Sequence, residues 1–159
     1  MKPTPEEWKE IEKELSTIYK TVELTIDDYK ITLRLSQVGK LKLAIIVYVN
    51  GWIKAEYWRN DCEERRRFYH RSTIYIHRKK FRDAFSKLSK KMSRSKIAKA
   101  TGLRPDVNVN ATMEVYAPYW GSFRLLKAHL VKSNENIEWT NKPVKEDSSA
   151  AQVKGQHVR

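Results

Sequence analysis

Two groups of side chains between Arg59 and Lys99 have the types and spacing to hold phosphate. The first is Arg65, Arg66, Arg67, Tyr69 and Arg71, with Phe68 and His70 among them. Guanidinium groups fork onto phosphate oxygens in pairs, and aromatic rings stack on nucleobases, so the mixture suits a nucleic-acid strand. Core packing is the competing use for Phe68 and Tyr69. The second group is Lys79, Lys80, Lys87, Lys90, Lys91 and Arg94. On a helix these six fall opposite Phe81, Phe85, Leu88 and Met92, within about 25 Å of axis, close enough to follow several phosphates. Each phosphate neutralised releases counterions, so such binding weakens steeply with salt.

The charge totals single out the same stretch. Residues 59–99 hold fifteen of the 32 Lys and Arg against Asp61, Glu63, Glu64 and Asp83, which is +11 of the formal +13. Residues 1–58 balance nine basic against nine acidic groups, and residues 101–159 hold eight against six. Charge so concentrated implies an anionic partner, either nucleic acid or an acidic protein surface.

Other chemistries lack their residues. Asp27 and Asp28 are adjacent in a predicted turn and point apart, and Glu63 and Glu64 sit beside arginines that pair with them. His70 and His77 lie seven apart with no Cys or carboxylate at ligand spacing, which argues against zinc. The five glycines are scattered and form no phosphate-cradling loop. With one cysteine and four histidines, no nucleophile–base arrangement can be argued. The chain is therefore read as a binding protein without cofactor or metal, not as an enzyme; a divergent nuclease assembled from distant residues is the third alternative, ahead only of membrane association.

The elements that must position these residues follow from periodicity. Thr4 as cap, Pro5 at the first helical position and Glu6 and Glu7 near the positive end of the dipole open a helix over 5–17. Its stripe is Trp8, Ile11, Leu15 and Ile18. From Lys20 the apolar period changes to two. Strands are predicted over 21–26, 31–36 and 41–49, with turns at Asp27-Asp28 and around Gly39, and Asn50-Gly51 returns the chain as a fourth strand over 52–58. The third strand is apolar on both faces between Ile45 and Val49, so it is placed centrally with a helix on its second side. A helix or loop over 63–69, a short strand over 73–77 and a helix over 78–93 follow, the last held to the meander by its Phe81–Met92 stripe. Either Ser93 or Ser95 caps a second short helix ending at Gly102. Residues 107–115 alternate as a strand, 122–133 fit a helix, and 137–139 make a last contact. Tyr116, Tyr119, Trp120 and Phe123 form an aromatic knot read as packing of the last strand on that helix.

Residues 95–103 (Ser-Lys-Ile-Ala-Lys-Ala-Thr-Gly-Leu) resemble the first helix and turn of a helix-turn-helix motif, with Ala98 small at the helix crossing and Gly102 at the turn. The resemblance stops there. Residues 105–110 alternate as a strand, and Asn108 stands where the motif places an apolar residue, so no recognition helix is expected.

The fold class is thus α+β: an antiparallel meander of about four strands plus one or two more, packed against three to four helices. Residues 1–140 form one domain and 141–159 a disordered polar tail. The longest apolar run is seven residues, 43–49, too short to span a bilayer. The single cysteine and the absence of an apolar leader suit the cytoplasm. The leading function is nucleic-acid binding, DNA or RNA, largely through phosphate contacts of 65–94. The alternative is a phage- or mobile-element-type accessory protein that inhibits or adapts a host protein, such as a defence nuclease, by docking its acidic surface.

Overall fold

The computed structural model describes residues 1–143; most of the tail expected to be disordered lies outside the described residues. A capping box opens the chain. Glu7 N–H donates to Thr4 Oγ1 at 3.2 Å and the Thr4 N–H to Glu7 Oε2 at 2.8 Å, satisfying two amides that have no intrahelical partner. Helix α1 (Pro5–Glu14) then presents Trp8 and Ile11 to the interior, with Leu15 at its C-cap. The stripe ends there: Ile18, beyond the helix, is exposed.

Strands β1 (Thr21–Ile26), β2 (Tyr29–Gly39) and β3 (Lys42–Val49) form the meander. Asp27 takes φ of 48° in the first tight turn, a left-handed conformation that Asp tolerates. Val22, Leu24, Ile26, Ile31, Leu33, Ile45, Val47 and Val49 all point to one face and are buried. Each such side chain contributes roughly 1.5–3 kcal/mol on burial, so this face, not the loops, sets the register.

Asn50-Gly51 makes the predicted turn, with φ of 51° and 81°. The returning strand over 52–58 does not follow. Pairing stops after the Val49–Trp52 bridge, and the chain enters a helical turn, α2 (Glu56–Arg59), that drives Tyr57 into the core. The place beside β3 is taken instead by β6 (Tyr119–Trp120), and β7 (Ile137–Trp139) adds to β1. The order β6-β3-β2-β1-β7 makes β2 central, not β3. The expected second helical layer is also absent among the described residues. Helices α1, α3 (Glu63–Phe68) and α6 (Phe123–Ser133) all reach the core through the same face of the sheet, leaving Ile46 and Tyr48 half-buried on the other. Two layers result.

A second, separate sheet pairs β4 (His70–Tyr75) with β5 (Thr112–Ala117). The predicted strand over 107–115 therefore starts five residues late. Asn108 explains the delay: its side chain accepts from Asn110 N–H at 3.1 Å and its carbonyl from Ala111 N–H at 3.0 Å, a local turn that competes with the ladder. Between the strands lie α4 (Lys79–Ser89) and α5 (Arg94–Thr101). Ser93 occupies the N-cap of α5, and Gly102 ends it at φ of 72°. No helix follows Gly102 before β5, so the helix-turn-helix resemblance ends where the residues said it would. No helix among the described residues is long and apolar enough to cross a membrane.

Candidate nucleic-acid interface

The β4–β5 ribbon, with α4 and α5 between its strands in the chain, forms a unit separate from the five-stranded sheet, which we call the arm. The outer ribbon residues Thr73, Ile74, Tyr75, Thr112 and Met113 are exposed, and α4 buries no residue. This overturns the expectation that Phe81, Phe85, Leu88 and Met92 hold the helix against the meander. Phe81, Phe85 and Met92 are half-buried within the arm's own head and Leu88 is exposed, while Ile97 and Val109 are the buried hydrophobics there. A stripe of that width shows only that something covers it.

Charge segregates with the topology. Residues 70–117 hold twelve Lys and Arg against Asp83, Asp106 and Glu114, which is +9 of the formal +13. Lys79, Lys80 and Lys87 lie on α4, Lys90 and Lys91 in the turn after it, and Arg94 opens α5. The six are therefore not one helix face but are spread over α4, the turn after it and the start of α5. All six are exposed, and none has an ion-pair partner among the described residues.

The other predicted group is taken apart by the fold. Arg67 is structural: its guanidinium donates to Glu63 Oε1 at 2.6 Å, to Asn134 Oδ1 at 2.7 Å and to the Asp27 carboxylate. It thereby ties α3 to the β1–β2 turn and to the end of α6. Tyr69 is completely buried and meets Tyr57 edge-on at 5.8 Å, so it belongs to the core and cannot stack on a base. Arg65 lies over the Tyr116 ring at 3.8 Å, as Arg82 lies over Tyr75 at 3.5 Å; such stacking is worth about 0.5–2 kcal/mol. Arg71 pairs across the ribbon with Glu114 and remains exposed. Arg66 is exposed, its side chain 60% accessible, and pairs with Asp61 at 3.3 Å.

Arg66, His70 and Arg71 share a cleft of about 470 Å³ at the root of the arm with Tyr116, Trp120, Leu125 and His129, over the buried Tyr69. Trp120 is its wall. Its Nε1–H donates to the Phe68 carbonyl at 3.1 Å, and its ring lies between His70 at 4.9 Å and His129 at 5.1 Å. Trp120 thus packs on α6 as predicted for the aromatic knot, and Tyr116 is half-buried beside the core. Phe123 instead packs on Trp8 at 6.1 Å, and Tyr119 is exposed. Sequence reading did not select His129. The available signal was its position beside Leu126 and Leu130, the buried residues of α6.

Burial holds the His129 imidazole below its ordinary value, because the cation is poorly solvated there. In the unfolded chain a histidine protonates near pH 6.5, so stability is full above about pH 6.5 and declines as pH falls from there through the folded value. Asp27, held below its ordinary value chiefly by the Asn136 N–H and also by Arg67, acts in the same direction at lower pH. Melting temperatures between pH 7.5 and 5 should fall for the native chain and fall less for His129→Gln. Parallel curves would refute the assignment.

Among the described residues no group of three or more His, Cys, Asp or Glu is arranged to hold a metal ion. Comparison with protein-family models, curated proteins and solved structures returns no match.

Proposed function

We propose that this protein binds nucleic acid through the arm formed by residues 70–117, mainly by contacts to phosphate. The observation that carries the reading is six exposed cations, Lys79, Lys80, Lys87, Lys90, Lys91 and Arg94, without ion-pair partners among the described residues, on the segment between the two ribbon strands. Cations left unpaired on an extended element repel one another, and a polyanion relieves that repulsion by releasing its counterions. A two-stranded ribbon or a single helix also has the width to enter a DNA major groove. Nothing in the arm reads as a recognition helix, so backbone contacts dominate and sequence preference is weak.

The test is affinity for duplex and single-stranded DNA, and for RNA, between 50 and 300 mM salt. With six phosphates engaged, the logarithm of the affinity should fall with the logarithm of salt at a slope of about −5 for duplex. No binding at the lowest salt, or tight binding indifferent to salt, would rule the reading out. Failure with nucleic acid, combined with arm-dependent capture of an acidic protein, would transfer the same surface to the inhibitor or adaptor role.

A further inference from the structure

The cleft at the root of the arm has a composition that the phosphate-tracking role of the six cations does not use. Its lining contains two guanidinium groups, Arg66 and Arg71, two imidazoles, His70 and His129, and no carboxylate. Asp61 and Glu114, which pair with those arginines, are not among the lining residues. The same walls present flat or apolar surface: the half-buried Tyr116 ring, with Arg65 stacked over it, and Leu125, which is 52% exposed at the lip. An anion carried beside a planar apolar group matches both halves of this lining. A volume of about 470 Å³ is within the range of small-molecule sites, roughly 300–1,000 Å³.

Three elements hold this arrangement in place. His70 and Arg71 come from β4, Arg66 from α3, and Leu125 and His129 from α6, with Trp120 clamped by its bond to the Phe68 carbonyl.

We infer that this cleft binds a single nucleotide, its phosphate facing Arg66, Arg71 and the imidazoles and its base lying against Tyr116 and Leu125. The inference builds on the arm as a nucleic-acid surface when the nucleotide is a strand end, but it also holds for a free mononucleotide. The probes separate these sources: AMP, adenosine, inorganic phosphate, linear oligonucleotides with a 5′-phosphate or a 5′-hydroxyl, and a circular single strand without ends.

AMP, followed by the His70 and His129 ring resonances, should bind saturably and at least about tenfold tighter than adenosine or phosphate alone, because only AMP engages both walls. A 5′-phosphorylated strand should show a similar preference over its hydroxyl counterpart if the source is a strand end. Both preferences should disappear in Arg66→Gln combined with Arg71→Gln. These side chains are 60% and 61% exposed, so the fold is expected to persist, and an unchanged amide spectrum would verify that. AMP binding no better than adenosine, together with indifference to the 5′-phosphate, overturns the inference. Retention of the circular strand in that case leaves the arm intact as a binding surface. Loss of the circular strand with retention of AMP does the reverse.

Discussion

Reversal of Lys87, Lys90, Lys91 and Arg94 to Glu is expected to weaken nucleic-acid binding by at least about a hundredfold at 100 mM salt. It should also reduce the steepness of the salt dependence by roughly 3 to 4 units of log–log slope, about 0.9 for each phosphate no longer neutralised. The loss should be uniform across sequences, because contacts to phosphate carry no base information. Stability should barely change. All four side chains are exposed and none is in an ion pair among the described residues, and surface changes of this kind stay within about 0.5 kcal/mol each. The helix termini partly compensate one another. Lys87 lies in the last turn of α4, where a carboxylate is unfavourable, whereas Arg94 is the first residue of α5, where it is favourable. The measurement is a pair of salt titrations alongside thermal melts. Unaltered affinity in a folded variant would remove the arm from the proposal.

The second large effect lies inside the arginine run. Arg67→Ala should cost about 1–2 kcal/mol of folding stability, whereas Arg66→Ala should cost less than about 0.5 kcal/mol. The two differ by one residue and by nearly everything around them. The Arg67 side chain is 17% exposed and Asp27 is 20% exposed, with Glu63 and the buried Asn134 as further partners. Truncation leaves the Asn134 oxygen without its donor and leaves Asp27 with the Asn136 N–H but no guanidinium, and it removes the cation held 5.3 Å from the Tyr29 ring. The Arg66 contact is single and screened by solvent. For a chain of this size the Arg67 change corresponds to roughly 2–8 °C in melting temperature. Denaturant unfolding of both variants, at constant slope, reads the difference. Equal losses would mean that α3 is not anchored through Arg67.

These two predictions fall on one stretch of sequence that was read as a single basic segment, and the structure divides it by environment. Arg65, Arg67 and Tyr69 serve the body, Arg66 and Arg71 line the cleft, and the lysines serve the arm. Residue type could not separate them. Neighbouring positions on a short helix face directions about 100° apart, and only the surroundings decide whether a direction meets Asn134 or solvent.

What the sequence determined by itself was whatever short-range physics controls. The Thr4–Glu7 capping box, the period-two runs of β1 to β3, the tight turns at Asp27 and Asn50-Gly51, and the stop at Gly102 each depend on a few adjacent residues. The α+β class follows from those, and the net charge follows from composition. Tertiary structure alone decided which partner covers each apolar face. It set β6 and not residues 52–58 beside β3, paired residues 70–75 with 112–117, and so lifted α4 off the meander. The reason is that a hydrophobic pattern records which side must be buried, while pairing between distant strands depends on competition among segments far apart in the chain. The basic segment was legible as charge; that it is an arm with a cleft at its root was not.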